Sequence, residues 1–332
     1  LWLWNDGKDF AGIDVGGTNT KIGLLDKEGN ILKTVSIKTE SEKGPENTIR
    51  RIWKEVIEIA DALSINVESI AGIGVGIPGP VVNESVVKIA ANFSWGNDFP
   101  AKKMFEEITG KNVKIGNDVK VIALGEQLYG AGKGYRNSIT IPIGTGIAAG
   151  IIIEGKILSG STGAGGEFGH IVINKNGHKC GCGLTGCLET YCSATGIVRE
   201  AKIFLENNKN NHMVKGSSLL KLEHNNFEKL EAFHIFEEAK KKDKASMEIV
   251  DNFCDNLAHG LGTLLNIINP EVIIFAGGVA KAGNIIIDGV NKHLYKYALK
   301  MTVDNLKIVF GELEENAGIK GAGALVINNE GL

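Results

Sequence analysis

The first part of the chain alternates apolar segments with short polar turns, which is the pattern of a β-hairpin layer. From residue 9 it reads DFAGIDVGGTNTKIGLLDKEGNILKTVSI, with a glycine-rich turn and then the polar turn DKEGN. Turns of this composition between apolar segments predict three consecutive strands. Residues 45–63 follow another period, because their apolar positions recur as on one face of a helix.

The rest of the chain continues the alternation of strands and helices. Apolar segments predict strands in IAGIGVGIPGPV, NVKIGNDV, SITIPIGTGIAAGIIIEGKIL and EVIIFAGGV. Helices are predicted for AKKMFEEITG, VIALGEQLYGAG, ASMEIVDNFCDNLAHGLGTLLNIIN and AGIKGAGALVI. This order predicts an α/β protein. Residues 204–245 are rich in Lys, Asn and Glu, and we expect surface helices and loops with no chemistry of their own.

Length and composition narrow the class of protein. A chain of 332 residues exceeds one hydrophobic core, so two domains around a cleft are expected. A net charge of −3 gives no basic footprint for nucleic acid or an anionic membrane. Apolar segments stay short of the roughly 20 residues that span a bilayer, and residues 1–8 show no leader, so we expect a cytoplasmic protein. Its 44 clustered glycines predict backbone lying against a ligand.

Glycine-rich turns offer backbone N–H groups to an anion. The motif Asp14-Val15-Gly16-Gly17-Thr18 joins two predicted strands, and Gly144-Thr145-Gly146 has the same place later in the chain. Such turns bind phosphate, although the first motif alone fits a simple hairpin equally well. The P-loop pattern GxxxxGK[ST] is absent. A third step, Gly277-Gly278, ends a predicted strand and is expected to meet the adenosine part of a nucleotide.

Two polar motifs suggest where a substrate hydroxyl would bind. Asn117 and Asp118 end a predicted strand, where Asp118 would accept the proton of an attacking hydroxyl and Asn117 would hold a second one. The alternative is a helix N-cap, which the motif alone favours. Asn92 is expected to bind further hydroxyls, and Trp95 either lines the same pocket or packs in the core.

A histidine followed by three cysteines predicts a metal centre. His170 ends the motif GEFGH, and Cys180, Cys182 and Cys187 follow it. Three thiolates and one imidazole are the ligand set of a closed structural zinc site. Buried free thiols are the alternative, and His178 is a rival ligand. Closed coordination would keep the metal out of the chemistry and let it fix nearby side chains.

Seven motifs in this order resemble the ROK family of repressors, open reading frames and sugar kinases, and within it the bacterial glucokinases. They are DVGGTNTK, GVGIPGPV, NFSW, GND, PIGTGIAAGI, GEFGH with CGCGLTGCLE, and NPEVIIFAGGV, and they cover residues 9–328. The resemblance implies an actin-like ATPase fold with two lobes, each built on a ribonuclease H-like sheet, and ATP with Mg²⁺ in the cleft.

The resemblance also assigns roles by motif match. It implies that Asp118 is the catalytic base for phosphorylation of the 6-hydroxyl of glucose or a related hexose. The implied substrate-binding residues are Gly79, Asn92, Asn117, Asp118, Glu167, His170 and Glu189. The implied ATP-binding residues are Asp14, Gly16, Gly17, Thr18, Lys21, Gly144, Thr145, Gly146, Gly277 and Gly278. The implied zinc ligands are His170, Cys180, Cys182 and Cys187.

Domain limits and two alternatives complete these expectations. The small N-terminal lobe is expected at residues 9–119 with about 318–332, and the large lobe with the zinc site at 120–317. The family implies a homodimer or homotetramer. An N-acetylmannosamine kinase is the alternative enzyme, because that sugar offers the same 6-hydroxyl. A sugar-responsive repressor would need a helix-turn-helix, and about ten residues before the first strand are too few for one, so no nucleic-acid partner is expected.

Overall fold

A computed structural model describes residues 9–89, 93, 95–222 and 229–327. The chain divides into two compact units, the first made of residues up to 136, 150–166 and from 312 onward, and the second of 137–149 and 167–311. The first unit therefore extends past the expected limit at residue 119. Among the described residues, no helix is long and apolar enough to cross a membrane.

The elements follow the predicted alternation. The strands are β1 (Asp9–Val15), β2 (Asn19–Leu25), β3 (Ile31–Lys38), β4 (Ile70–Ile77), β5 (Val81–Val82), β6 (Val86–Ile89), β7 (Asn97–Phe99), β8 (Val113–Asn117), β9 (Ser138–Pro142), β10 (Gly150–Ile153), β11 (Lys156–Ile157), β12 (Val272–Ala276) and β13 (Lys307–Phe310). The helices are α1 (Pro45–Ala62), α2 (Ala101–Thr109), α3 (Asp118–Tyr129), α4 (Glu189–Cys192), α5 (Ala194–Asn207), α6 (His212–Lys215), α7 (Ser218–Leu222), α8 (Ala232–Lys240), α9 (Lys244–Ile268), α10 (Gly277–Ala280), α11 (Asn284–Leu294), α12 (Lys300–Val303) and α13 (Ala317–Ile327).

The main sheet of the first unit has the strand order β3-β2-β1-β4-β8. Strands β1, β2 and β3 form the predicted antiparallel layer, and β4 and β8 run parallel to β1. Helix α1 packs on β2 and β3 through an apolar face that includes Ile49, Ile52 and Val56, as its period predicts. The two parallel strands end side by side, which brings the segments that follow them to one edge of the sheet.

Helix α13 packs against β1, β4 and α3 at a distance that only glycine permits. A β-carbon on Gly74 would overlap the carbonyl oxygen of Ala322, and one on Gly321 would overlap that of Val121. Gly12 would meet the carbonyl oxygen of Ile319 in the same way. The expectation that clustered glycines lie against a ligand is therefore wrong for this group, which serves backbone packing.

The second unit contains a parallel sheet in which β12 lies between β9 and β13. The long predicted helix α9 packs against α5, α8 and α11. Cys192 and Cys254 are fully buried in this unit, as free thiols. The turn after β9 is closed by a bridge between Ile143 and Ile147, so the second glycine motif lies at the carboxyl edge of this sheet.

Replacing Gly321 with alanine is expected to destabilise the first unit. The added methyl group has no space against the backbone of α3, so α13 and α3 must move apart, at a cost of roughly 2–3 kcal/mol. Urea unfolding measures this loss. Gly216→Ala is the matched control, because its β-carbon would make only an ordinary contact. Equal stability of the two variants would contradict the packing argument.

Candidate functional site

Hydrogen bonds hold one side of the first glycine turn, and its other side is open. Between β1 and β2, the N–H of Gly16 donates to the carbonyl of Asn19 at 3.0 Å. Thr39 fixes the turn further, since its hydroxyl donates to Gly16 O at 2.6 Å and its N–H to Thr18 O at 2.9 Å. A β-carbon on the exposed Gly17 would meet no atom within 4 Å. The turn can therefore present backbone to an anion, and Thr39 is a bracing residue that the motif did not reveal.

Asp14 lies beside this turn, close to other charged side chains. It pairs with Lys21 across β1 and β2, and the Lys21 Nζ also contacts Glu315 at 3.2 Å. Its carboxylate leaves no space for a β-carbon on Gly318, in the first turn of α13. Burial, and then the negative charge of Asp118, raise the pKa of Asp14 from 3.8 to about 6, while Lys21 partly opposes them. Asp14 and Asp118 are thus close enough to influence each other.

Asn117 holds the candidate base. Its Oδ1 accepts the N–H of Lys120 at 3.1 Å, which makes it the N-cap of α3, so the cap interpretation is confirmed for this residue. Its Nδ2 donates to Asp118 Oδ1 at 2.8 Å and to Gly79 O at 3.0 Å. Asp118 is the first residue of α3, where the helix dipole favours a carboxylate. One amide group therefore caps the helix and orients the carboxylate.

The other polar motif of this unit is only partly described. Asn92 lies outside the described residues. Trp95 is 8% exposed, stacks on Phe93 with ring centroids 4.6 Å apart, and donates from Nε1 to Ser41 O at 3.1 Å. The interpretation of Trp95 as a core residue is confirmed.

In the second unit, the predicted histidine and cysteines converge. The ligand atoms of His170, Cys180, Cys182 and Cys187 all lie within 4.8 Å of one another. The sulfurs of Cys182 and Cys187 are 3.6 Å apart, and Cys180 Sγ is 3.7 Å from His170 Nδ1. A tetrahedral zinc ion with Zn–S bonds of about 2.3 Å sets its ligand atoms roughly 3.8 Å apart. The four residues therefore fit a structural zinc ion.

The rival ligand His178 lies outside this cluster. Its Nε2 is 2.6 Å from Glu200 Oε1, on helix α5. Bridges between Lys179 and Thr185 and between Val172 and Cys187 fold the intervening chain into a compact loop. His178 thus attaches the loop to α5, and the ligand set with His170 is favoured.

The thiols of the cluster differ in their environment. Burial raises the pKa of Cys187 to about 12, whereas the backbone N–H of Leu184, as the largest influence, lowers that of the exposed Cys182. A metal ion must therefore displace a proton from Cys187. Binding should accordingly strengthen as pH rises.

The cluster lies next to the acidic residues that the resemblance singled out. His170 turns Nδ1 toward Cys180, and its Nε2 is 3.9 Å from Glu167 Oε2. A metal on Nδ1 leaves the proton on Nε2, so that nitrogen becomes a donor. Glu189 has Oε1 at 4.0 Å from Cys180 Sγ, and its Oε2 accepts the N–H of Ile147 at 3.3 Å. Glu189 therefore connects the cluster to the second glycine turn.

A cavity of about 650 Å³ opens beside the second and third glycine motifs. Gly144, Thr145 and Gly278 line it, and Gly278 offers open backbone, since a β-carbon there meets no atom within 4 Å. Gly277 precedes it at the start of α10 with φ of 82°, a conformation that favours glycine. A largely apolar cavity with a few polar groups suits an aromatic small molecule.

Helix α8 forms the other wall of this cavity. Phe233 lies there with 65% of its surface exposed, beside the buried Phe236. Part of the segment 204–245, expected to carry no chemistry, therefore lines a cavity. The available signal was the pair of phenylalanines three residues apart in this segment, Phe233 and Phe236.

The raised pKa of Asp14 predicts a pH-dependent gain in stability for Asp14→Asn. A folded pKa of about 6 above an ordinary 3.8 means that ionised Asp14 costs folding free energy, a cost absent below pH 4 that builds up to pH 6. The variant should be more stable than the wild type at pH 7.5, by roughly 2–3 kcal/mol, and equal to it near pH 4. Unfolding curves across this range measure the difference. Asp61→Asn, at an exposed position of α1, is the charge-matched control, and a pH-independent gain would contradict the assignment.

Removal of one thiol should empty the metal site. Cys182→Ser is expected to lose the roughly one zinc ion per chain that a four-ligand structural site retains, and to unfold at a lower temperature. Elemental analysis of metal-loaded protein and thermal unfolding measure both effects. Cys192→Ala is the control, because this buried thiol lies outside the cluster. Undiminished zinc in Cys182→Ser would reject the ligand set.

Comparisons with known proteins identify relatives of this chain. A model described as the ROK family matches residues 10–329. The glucokinase of Thermotoga maritima is 35% identical over 318 residues, covering 96% of this chain and 96% of that protein. The xylose repressor of Bacillus subtilis is 27% identical, covering 96% of this chain and 77% of that protein.

Solved structures show the same architecture. The crystal structure of a ROK family glucokinase from Streptomyces griseus, in complex with glucose and AMPPNP, is 30% identical and superposes with a TM-score of 0.78, covering 96% of this chain and 99% of that one. ROK sugar kinases have the actin-like ATPase fold, and the expected fold is confirmed. Because the family model spans nearly the whole sequence, the chain belongs to the ROK family.

Proposed function

We propose that this protein is an ATP-dependent hexose kinase that phosphorylates the 6-hydroxyl of glucose. The observation that carries the proposal is the Asn117 amide, which holds Asp118 at the edge of the sheet in the same unit as the open turn at Gly17. The relatives named glucokinase support a sugar kinase and favour glucose among the hexoses.

The nucleotide is bound by the backbone of a glycine turn and by a cavity that fits its adenosine part. The adenosine part occupies the 650 Å³ cavity, where Phe233 offers a ring face for stacking. Gly144 and Thr145 line the same cavity, so the phosphates extend along the second glycine turn. The AMPPNP complex of the Streptomyces griseus glucokinase supports a nucleotide of this type.

Asp118 acts as the general base. It accepts the proton of the 6-hydroxyl as that oxygen attacks the γ-phosphorus, the bond from this phosphorus to the β,γ-bridging oxygen breaks and ADP leaves. Asn117 keeps the carboxylate oriented. The transition state of phosphoryl transfer is loose, so positioning contributes as much as basicity. N–H groups of the turn at Gly16 to Thr18 take up negative charge on the transferred group.

The sugar is recognised by side chains that the metal cluster fixes. His170 donates from Nε2 to a sugar hydroxyl, while Glu167 and Glu189 accept from others. A zinc ion held by His170, Cys180, Cys182 and Cys187 would keep these residues in place and, with four protein ligands, would supply no reactive water. The Asp14 carboxylate, which lies near the negative charge of Asp118, is suited to bind the Mg²⁺ that accompanies ATP. That ion would neutralise part of the phosphate charge.

A coupled ADP-release assay over a panel of hexoses and N-acetylhexosamines, with and without Mg²⁺, tests the proposal. We expect Mg²⁺-dependent turnover with glucose as the preferred sugar. Faster turnover of N-acetylmannosamine would replace glucose as the substrate. Failure of every sugar to release ADP would reject the kinase assignment.

Asp118→Asn separates chemistry from binding. We expect kcat to fall at least about a hundredfold, the usual contribution of a positioned base, while glucose affinity and the thermal unfolding midpoint stay close to those of the wild type. Steady-state kinetics and calorimetric glucose binding measure the two effects. Turnover at the wild-type level in this variant would refute the role of Asp118.

A further inference from the structure

Lys120 is a buried cation that none of the proposed steps uses. It lies in the first turn of α3, with 7% of its surface exposed. Its Nζ donates to the carbonyl of Gly163 at 2.6 Å and to that of Ser159 at 3.2 Å. Burying an ammonium group is costly unless it is hydrogen bonded, so these contacts are needed to keep the side chain in place.

The two carbonyls belong to a glycine-rich loop, residues 158–166, which we call the clasp loop. Its own backbone bonds are sparse, with Gly165 N donating to Ser159 O at 2.8 Å and Gly163 N to Gly160 O at 3.4 Å. A β-carbon on Gly163 would overlap the carbonyl oxygen of Val81, so the loop packs closely on the segment after β4. A loop of small residues has little side-chain packing of its own, so the hydrogen bonds from the Lys120 ammonium help to hold it in place.

Lys120 also belongs to the hydrogen-bond network of the candidate base. Its backbone N–H donates to Asn117 Oδ1, and the same amide group holds Asp118. The ammonium group of the same residue is directed to the clasp loop, where it donates to the two carbonyls. Lys120 thus joins the start of α3 to the clasp loop, and the loop leads directly into Glu167.

We propose that Lys120 is a positioning residue that sets the clasp loop for sugar binding. The inference rests on the proposed function, because the loop leads directly into Glu167, which is assigned to the hexose. A displaced loop weakens hexose binding and leaves binding of the adenosine part unchanged, since the cavity assigned to adenosine is lined by residues of the second unit.

Three variants test the proposal. Lys120→Met keeps the length of the side chain and removes its donors. Lys120→Arg keeps the charge and donors, and a cavity of about 260 Å³ beside Lys120 gives room for the larger group. Lys111→Met is the matched control, because Lys111 has a side chain only 10% exposed and donates to Glu68 O at 3.3 Å, outside the candidate site.

Hydrogen exchange of residues 154–168 and steady-state kinetics are measured on each full-length variant. We expect faster exchange in Lys120→Met, a KM for the hexose raised at least about tenfold, and an unchanged KM for ATP. In Lys120→Arg, we expect the exchange rate and the hexose KM to lie close to those of the wild type. Lys111→Met should leave both unchanged.

Two outcomes would overturn the proposal. Unchanged exchange in Lys120→Met would show that the loop does not depend on Lys120. A lower unfolding temperature with an unchanged hexose KM would reduce Lys120 to a structural role. A wild type that phosphorylates no hexose would reject the proposed function instead, and the exchange measurement would still decide whether Lys120 holds the loop.

Discussion

The close approach of α13 to the sheet and to α3 is the contact on which the first unit depends. Glycines on three elements remove the side chains that would otherwise separate the backbones. The same packing places Gly318 against the Asp14 carboxylate, and so contributes to the burial that raises the pKa of Asp14. The electrostatics of the first glycine turn therefore follow from how tightly one helix is seated.

The two units build their candidate residues into fixed positions by different means. In the first, backbone turns and single side-chain amides or hydroxyls, such as those of Asn117 and Thr39, give the geometry. In the second, three thiols and an imidazole gather on one loop, in a geometry that fits a structural zinc ion. Acidic residues are placed beside each arrangement, where neighbouring groups restrict their motion.

Much of the fold and part of the site could be predicted from the sequence. Hydrophobic period and turn residues were sufficient for β1 to β3, α1 and α9, and ligand spacing for the cysteine cluster, because these signals are local. Lys120, Thr39 and Phe233 were not found, since their partners lie far along the chain and become neighbours only after folding. The glycine count misled for the same reason: composition cannot distinguish helix packing from ligand contact. Residue roles taken from the family resemblance stay predictions.

The contacts of Asn117 limit which substitutions this protein can accept. Its carboxamide ends a strand, starts a helix and steers the neighbouring acid, all with one group. A substitution of Asn117 that releases the Asp118 carboxylate also removes the N-cap of α3. Activity and folding stability therefore cannot be changed separately at this position. Adaptation to a new substrate must then proceed through substitutions in the surrounding loops, where side chains can vary without disturbing the hydrogen bonds of Asn117.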